Sequence, residues 1–401
     1  MVNYGGENGP SYQATPWYIS RKNIKEIIIE EGVKNIGDDA FSNCDKIVNV
    51  IMPDSIVDAD EGAYIKVPDS ITSIGEGAFF GCNSIVNMEI PDAVINIGKN
   101  AFAACTSLTN IKIPSGITVI NEDTFASCSS LISITIPNGV TSIGPGAFGF
   151  CDSLADIVIP DSVKDIGSAA FTSCYNLVNI TIPNGIVTIN ERTFERCTNL
   201  ANIIIPDSVV SIGPSAFYNC TSLTNIIIPS NVTNISEHAF AYCTGINNLE
   251  VPDNVKTIGD HAFENIFNVI YHGSATGSPW GARYINAFME GFLVYSNESK
   301  VELIDCNEEA TGQITIPDTT SSIIEEVFKN CLKITEVIIP DSVLTIGKNC
   351  FYNCTSLLSV QLSNNLTEIK DFTFFNCSGL TSIIIPNKVE TIGANAFYGC
   401  S

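Results

Sequence analysis

The sequence predicts an α/β repeat solenoid in which each unit adds one short parallel strand and one short helical return. Cysteine recurs every 23 residues from Cys82 to Cys243 and again from Cys331 to Cys400. Phenylalanine stands three residues before each of these cysteines, and proline usually stands 11 residues before the phenylalanine. With the outer units of Phe41 and Phe263, the chain holds 14 copies. A fixed period of this length is typical of stacked units that contact mainly their neighbours.

The strand of each unit is predicted by a short run of β-branched residues. In one unit, Ile226 and Ile228 lie on one face, with variable letters between them. Pro229 ends the strand because it has no N–H to donate to a ladder. Stacked units then place their strands in parallel, about 4.8 Å apart.

The return is predicted to be helical, because Ala-Phe-x-x-Cys puts Phe and Cys three residues apart, on one helical face. Many units carry Ile-Gly before it, as at Ile212 and Gly213, and we expect this glycine to permit a sharp turn. The strands are expected to line the concave face and the returns the convex face. The recurring Phe side chains should lie in the core.

The pattern and its breaks predict four segments. Residues 1–22 form an N-terminal cap segment, and residues 23–263 hold the first repeats, with a shortened unit near 54–68. An island insertion follows over 264–312, where "NESK" suggests a β-hairpin. Repeats resume over 313–401.

The motif I-x-I-P-x-x-V-x-x-I-G-x-x-A-F-x-x-C covers most of the chain and resembles the BspA or Treponema pallidum type of leucine-rich repeat. That family occurs in bacterial surface proteins and some protozoan ones. The resemblance implies a leucine-rich-repeat horseshoe with a parallel β-sheet on its concave face, and a role in adhesion or partner binding. It does not identify the partner.

The composition excludes several classes of function. The formal net charge is −24, and the 19 Lys and Arg residues form no basic stripe, so we expect no binding to nucleic acid. Anionic membrane surfaces should repel the chain. No apolar run approaches the roughly 18 residues of a membrane span, so we expect no membrane insertion.

The ends suggest a piece of a longer chain. "MVNYGGENGP" lacks the basic start and apolar region of a signal peptide, and "AFYGCS" stops at a return without a polar cap. Signal and anchor segments could lie outside this sequence, and the family resemblance implies a protein at the cell surface or secreted.

The 15 cysteines allow two interpretations. Stacked neighbours would be close enough for disulfide bridges, but a cysteine beside Phe in a core position also packs well as a free thiol. Ile266 replaces cysteine in one unit, which favours buried free thiols. Cys306 lies outside the pattern and receives no role.

Residues suited to catalysis or to holding a cofactor are scarce. His238 and His261 should stack and could bind a metal, but their position holds unrelated residues elsewhere, so we expect no metal site. The Asp that often follows Pro, as at Asp92, could bind calcium but more simply caps a turn. No nucleophile elbow, phosphate loop, HExxH or CxxC is present, so we predict neither an enzyme nor a cofactor.

The candidate binding residues are the strand residues that alternate with the core residues and face outward. The middle of this surface is uncharged and apolar or β-branched, which fits a protein-binding strip, although β-propensity alone would also explain it. The candidates are Asn110, Lys112, Thr135, Val158, Asn179, Thr181, Asn202, Ile204, Asn225, Ile227 and Glu250. The island loop adds Trp280 and Tyr284, either as contact residues or as a structural splice.

These observations predict a non-catalytic scaffold for protein interaction. We expect a bacterial adhesin, on the cell surface or secreted, that binds host extracellular matrix, cell-surface or neighbouring-cell proteins through the concave sheet or the island loop. The alternative is a structural spacer or stalk that presents another domain.

Overall fold

The structure is a computed structural model that describes residues 21–29, 32–47, 49–51, 64–66, 69–277 and 280–400. The expected cap segment 1–22 and the shortened unit near 54–68 lie mostly outside these residues. The chain divides into two compact units, residues 1–285 and 286–401, called unit 1 and unit 2 below. Each unit is a solenoid of stacked coils, one coil per sequence repeat.

The first strand of each coil belongs to row A, a series of short parallel strands. Asn179–Thr181 and Asn202–Ile204, for example, pair residue by residue. The row A strands of unit 1 are Glu26–Ile28, Asn49–Ile51, Tyr64–Lys66, Asn87–Glu89, Asn110–Lys112, Ser133–Thr135, Asp156–Val158, Asn179–Thr181, Asn202–Ile204, Asn248–Glu250, Asn268–Ile270 and Tyr284–Ile285. The predicted parallel stacking of the repeats is therefore confirmed, and the coil of Asn225 differs in contributing only an isolated bridge to row A.

A second strand in each coil, two residues long, was not predicted. These strands stack in parallel as row B, in which Ser142 and Ile143 pair with Asp165 and Ile166. In unit 1 they are Asn35–Ile36, Ser73–Ile74, Asn96–Ile97, Val119–Ile120, Ser142–Ile143, Asp165–Ile166, Thr188–Ile189, Ser211–Ile212, Asn234–Ile235 and Thr257–Ile258. The Val-x-x-Ile segment of the repeat supplies them.

Unit 2 repeats this plan after a hairpin. Phe288–Glu290 and Leu293–Tyr295 are antiparallel, and Leu293–Tyr295 is also antiparallel to Glu302–Cys306 around the "NESK" segment. Row A of unit 2 consists of Thr311–Thr315, Lys333–Ile338 and Ser359–Gln361. Its row B consists of Ser322–Ile323, Thr345–Ile346, Glu368–Ile369 and Thr391–Ile392.

The prediction that the returns are helical is wrong. Within the described residues the one helical element is a 3-10 helix, Arg21–Asn23. In the return around Phe171, the residues two before and two after the Phe, Ala169 and Ser173, have positive φ of 56° and 57°. Left-handed residues interrupt a right-handed helix at each such position. The returns are consecutive turns.

The backbone hydrogen bonds of this return show how the turns are held. The N–H groups of Ala169, Phe171 and Ser173 donate to carbonyls of the next coil over 2.7 to 2.9 Å. The N–H groups between them donate to the carbonyl three residues back, as from Thr172 to Ala169 over 3.0 Å. An α-helix would instead direct every N–H to the carbonyl four residues back. Stacking thus satisfies backbone donors that the return cannot satisfy by itself.

The recurring Phe side chains form the core, as predicted. From Phe79 to Phe240, successive rings lie 5.2 to 5.7 Å apart between centroids, with planes 4° to 13° from parallel. This is offset stacking, the favoured parallel geometry of aromatic rings. Phe328, Phe351, Phe374 and Phe397 form a second stack in unit 2. Each unit therefore has a hydrophobic column that runs through these coils.

The recurring cysteines lie beside the Phe column as free thiols. All but the half-buried Cys400 are buried. The unassigned Cys306 belongs to the core of unit 2 next to Cys331, and a hydrogen bond with Cys331 together with burial raises its pKa. Burial likewise raises the pKa of Cys105, Cys128 and Cys151, which keeps those thiols protonated and unreactive.

The repeated glycine has a different cause from the one predicted. Gly98, in the Ile-Gly pair of its coil, does not have the positive φ that some other glycines, such as Gly77, adopt. A Cβ built on it would lie 2.5 Å from the backbone nitrogen of Glu76 in the preceding coil. The position needs glycine because two coils approach each other closely there.

Candidate functional site

The candidate site is the outward side of row A in unit 1. In Asn202–Ile204, the middle residue Ile203 points into the core, while its two neighbours are exposed. The same alternation holds in each row A strand from Asn110–Lys112 to Asp156–Val158. Side chains of a strand point to opposite faces in turn, so the solenoid core fixes which letters face outward. All 11 strand residues named as candidates are exposed.

One outward column is apolar in its middle. Thr135 pairs with Val158, and Thr181 pairs with Ile204, so parallel register sets these side chains beside one another. Val158 is 79%, Ile204 67% and Ile227 83% exposed. Neighbouring members are about 4.8 Å apart, the spacing of paired strands. We call the column from Thr135 to Ile227 the apolar strip.

An asparagine column runs beside the apolar strip. It contains Asn179, Asn202 and Asn225, and the Asn202 side-chain amide donates to the Asn179 side-chain oxygen over 3.4 Å. A bridge pairs Asn202 with Asn225. The strip therefore has a polar, uncharged flank that offers amide donors and acceptors to a partner.

The column that contains the apolar strip is charged at both ends. At one end Lys112 forms an exposed ion pair with Asp92, with 3.5 Å between the side-chain nitrogen and oxygen. At the other end stands the exposed Glu250. Exposed ion pairs add little stability, so their effect here is to bound an uncharged centre.

A groove opens at the Glu250 end of the strip. The sheet from Ser133–Thr135 to Asn202–Ile204 reaches Asn225 through the single bridge, and the next sheet begins at Asn248–Glu250. Between them lies a cavity of about 630 Å³. Its lining includes Ile226, Ile227, Ile228, Glu250, Asp253, Ile270 and His272. Ile226 is half-buried, unlike its buried counterpart Ile203, so the opening exposes part of an apolar floor.

Trp280 of the island loop lies inside unit 1, only 5% exposed. Its ring meets Phe263 and Tyr271 edge to face, with centroids 6.3 and 5.6 Å apart. The Phe263 N–H donates over 3.0 Å to the Trp280 carbonyl, whereas the corresponding Phe N–H in earlier coils donates to a carbonyl of the next repeat. The indole N–H donates to the Thr276 carbonyl over 2.9 Å. Trp280 closes the Phe column and is not offered to a partner.

Tyr284 lies in the last row A strand of unit 1 and is half-buried. Its ring packs edge to face on Phe267, with centroids 5.3 Å apart. The Arg283 guanidinium lies 5.3 Å from the Phe267 centroid and 5.6 Å from that of Tyr284. Tyr284 thus lies apart from the residues of the apolar strip and belongs to an aromatic and cationic cluster of its own.

The two histidines stack as expected. His238 and His261 have ring centroids 5.4 Å apart, and the Nδ1 atom of each lies 3.8 Å from Oε2 of Glu264. Tyr242 donates to the other oxygen of Glu264 over 3.0 Å. Across the residues that the structure describes, no group of three or more His, Cys, Asp or Glu side chains is arranged to hold a metal ion.

The Asp after Pro caps the neighbouring coil. Asp341 accepts the backbone N–H of Asn364 over 2.8 Å, and Asp253 accepts that of His272 over 3.2 Å. The Asn364 N–H and side-chain amide lower the pKa of Asp341. The carboxylate thus caps a neighbouring coil rather than its own turn. The sequence of one repeat does not show this relationship, although the 23-residue period indicates it.

Comparison with known proteins places the repeats in a family. A sequence profile for the BspA type leucine rich repeat region matches residues 17–66, 61–178, 164–272 and 306–401. No curated protein is significantly similar to the chain. As for membrane spans, the described part of the chain contains no helix of the necessary length and apolarity.

Three solved structures illustrate the similarity. A leucine-rich repeat protein from Bacteroides ovatus is 29% identical with a TM-score of 0.50, covering 84% of this chain and 84% of that one. A Treponema pallidum leucine-rich repeat protein is 32% identical with a TM-score of 0.38, covering 50% of this chain and 84% of that one. A leucine-rich cell surface protein from Faecalibacterium prausnitzii is 26% identical with a TM-score of 0.31, covering 86% and 84%.

Proposed function

Because the chain belongs to the BspA-type leucine-rich repeat family, we propose that it binds a partner protein through the apolar strip and its asparagine column. Repeat proteins of this kind are typically scaffolds for protein interaction and are generally not enzymes. The proposed partner is a host extracellular matrix, cell-surface or neighbouring-cell protein. The proposed location is the cell surface or outside the cell, and the family resemblance supports it.

The observation that carries the proposal is the exposure of Val158, Ile204 and Ile227 in one column. Each branched side chain stands in water with most of its surface uncovered. Burying such a side chain is worth about 1.5 to 3 kcal/mol, so covering the column would contribute strongly to association. An apolar centre with polar side chains at its edge is the usual anatomy of a protein interface, and the asparagine column supplies such an edge on one side of the strip.

The test replaces two residues of the strip. Immobilised extracellular matrix proteins and whole host cells are screened with the wild-type chain and with Ile204→Glu/Ile227→Glu. We expect the double variant to lose at least about tenfold in affinity, since two charges would enter the apolar centre. The matched control is Ile95→Glu/Val187→Glu, which alters two exposed apolar side chains near row B.

The outcomes separate the alternatives. Loss of binding in the strip variant, with the control and the unfolding temperature unchanged, supports the proposal. Equal binding by wild type and strip variant would exclude the strip as the binding face. If the wild-type chain binds nothing in the screen, the spacer that presents another domain becomes the better account.

A further inference from the structure

The groove beside Ile227 combines an apolar surface with an acidic one. Its floor is apolar, formed by the half-buried Ile226 and Ile270 and the buried Ile228. Its rim carries the exposed carboxylates of Glu250 and Asp253. A partner side chain that enters the groove therefore passes negative charge at the rim and contacts hydrocarbon on the floor.

The position of one carboxylate is fixed by the fold. Asp253 accepts the backbone N–H of His272 over 3.2 Å, which holds it against the neighbouring coil at the groove. Glu250 projects outward from its row A strand, between the buried Leu249 and Val251. Within the described lining, His272 is the one side chain able to carry positive charge.

We propose that this groove is the anchor subsite of the apolar strip, and that it takes a lysine or arginine side chain of a partner protein. This inference rests on the proposed function. The aliphatic stem of such a side chain packs along Ile226 and Ile270, and its cationic head meets Glu250 and Asp253. Long basic side chains bury their stems on apolar surface while keeping their heads at a polar edge.

Charge complementarity favours this occupant over others. The chain carries a net charge of −24, so acidic segments are repelled on approach. A purely apolar side chain in the groove would remove water from the carboxylates without giving them a partner, which is costly. A cationic head forms charge-assisted hydrogen bonds with them instead, about twice as strong as neutral ones.

The predicted partner segment has two features in sequence. It carries a branched apolar or aromatic residue for Ile204 and Ile227, and a Lys or Arg a few residues away for the groove. Glu250 stands at the charged end of the strip and Ile204 in its neutral middle, so the basic residue of the segment should face Glu250 and its apolar residue should face Ile204.

The probe is a displayed library of random 12-residue peptides selected on the folded wild-type chain. Recovered peptides are sequenced and their affinities measured against wild type, Glu250→Gln/Asp253→Asn and Ile204→Glu/Ile227→Glu. The control Asp207→Asn/Glu237→Gln removes the same charge from two exposed carboxylates outside the groove lining. Circular dichroism and the unfolding temperature verify that each variant is folded.

We expect Lys or Arg beside apolar residues to be enriched, and the groove variant to lose roughly 10- to 100-fold in affinity. The control variant should lose little, and binding to wild type should weaken as salt is raised. Peptides that need Ile204 and Ile227 but bind the groove variant unchanged would overturn the anchor and leave the proposed function standing. Peptides insensitive to the strip variant, or none recovered, would count against both.

Discussion

The thiol of Cys128 donates a hydrogen bond over 3.2 Å to the carbonyl of Phe102, 26 residues earlier and in the preceding coil. The same relationship joins Cys105 to Phe79 and Cys151 to Phe125. Each Phe carbonyl also accepts the backbone N–H of the cysteine in its own coil, as from Cys105 to Phe102. The recurring cysteine therefore bonds one coil to the previous one besides filling the core.

Replacing Cys128 with alanine should destabilise unit 1 by about 1 to 3 kcal/mol. The variant loses a hydrogen bond between coils and leaves a small cavity beside Phe125. Urea unfolding followed by circular dichroism measures the change. Cys400→Ala, at a half-buried thiol in the last coil, should cost less. Since the Cys400 thiol donates the same kind of bond to the Phe374 carbonyl over 3.2 Å, equal losses at the two positions would show that burial of the thiol adds nothing to its contribution.

The buried thiols predict that stability falls in alkaline solution. Burial raises the pKa of Cys128 to about 12 and that of Cys197 to about 12, from 9.0. The folded chain thus holds the neutral form, whereas an unfolded thiol ionises above pH 9. Their contribution to stability is complete below pH 9 and should fall by about 1.4 kcal/mol per thiol for each further pH unit up to about 12.

Urea unfolding at several pH values, with a reductant present, measures this slope. Cys128→Ala serves as the control, because lysines titrate in the same range and must be subtracted. Between pH 9 and 11 the variant should lose about 1.4 kcal/mol less per pH unit than wild type. Identical slopes would mean that the thiol is not held neutral by the fold.

Ala169→Gly should stabilise unit 1 by up to about 1 kcal/mol. Ala169 has a φ of 56°, which costs a residue with a Cβ but not glycine. The gain is reduced by the greater freedom of glycine in the unfolded chain. Ala155 does not have a positive φ, so Ala155→Gly should instead destabilise unit 1 by roughly 0.5 to 1 kcal/mol. The same sign for both substitutions would contradict the turn geometry of the returns.

Gly98→Ala should destabilise unit 1 by about 1 to 3 kcal/mol, because its Cβ would meet backbone atoms of Gly75 and Glu76 at 2.5 to 2.6 Å. Gly139→Ala is the matched control, since the nearest atom to its Cβ would be the Ser115 carbonyl oxygen at 3.4 Å. Thermal unfolding of the two variants measures the difference. If both alanine variants unfolded at the same temperature, close approach of the coils would not explain the repeated glycine.

The sequence predicted the parts of this fold that depend on burial and period. Ile203 inside and Ile204 outside follow from alternation within a strand, and the Phe column follows from the 23-residue period. The outward residues of the apolar strip could be read in the same way. These predictions succeed because a stacked core repeats one set of constraints in every coil.

The returns could not be read from spacing alone. A spacing of three residues, as between Phe171 and Cys174, fits a helix. It fits equally well a series of turns in which N–H groups donate to the carbonyl three residues back. What decides between them is the bonding of Ala169 and Phe171 to the next coil, which no single repeat contains. The groove at Ile226 was missed because its coil keeps the consensus letters, while the strand pairing changes there.

Methyl NMR of isoleucine side chains tests the central claim most directly. The chain is labelled at isoleucine δ1 methyl groups and titrated with the strongest peptide from the library. We predict that the signals of Ile204 and Ile227 shift first and most, while Ile95 and Ile384 stay in place. Shifts confined to isoleucines away from row A of unit 1, with Ile204 and Ile227 unmoved, would contradict the account.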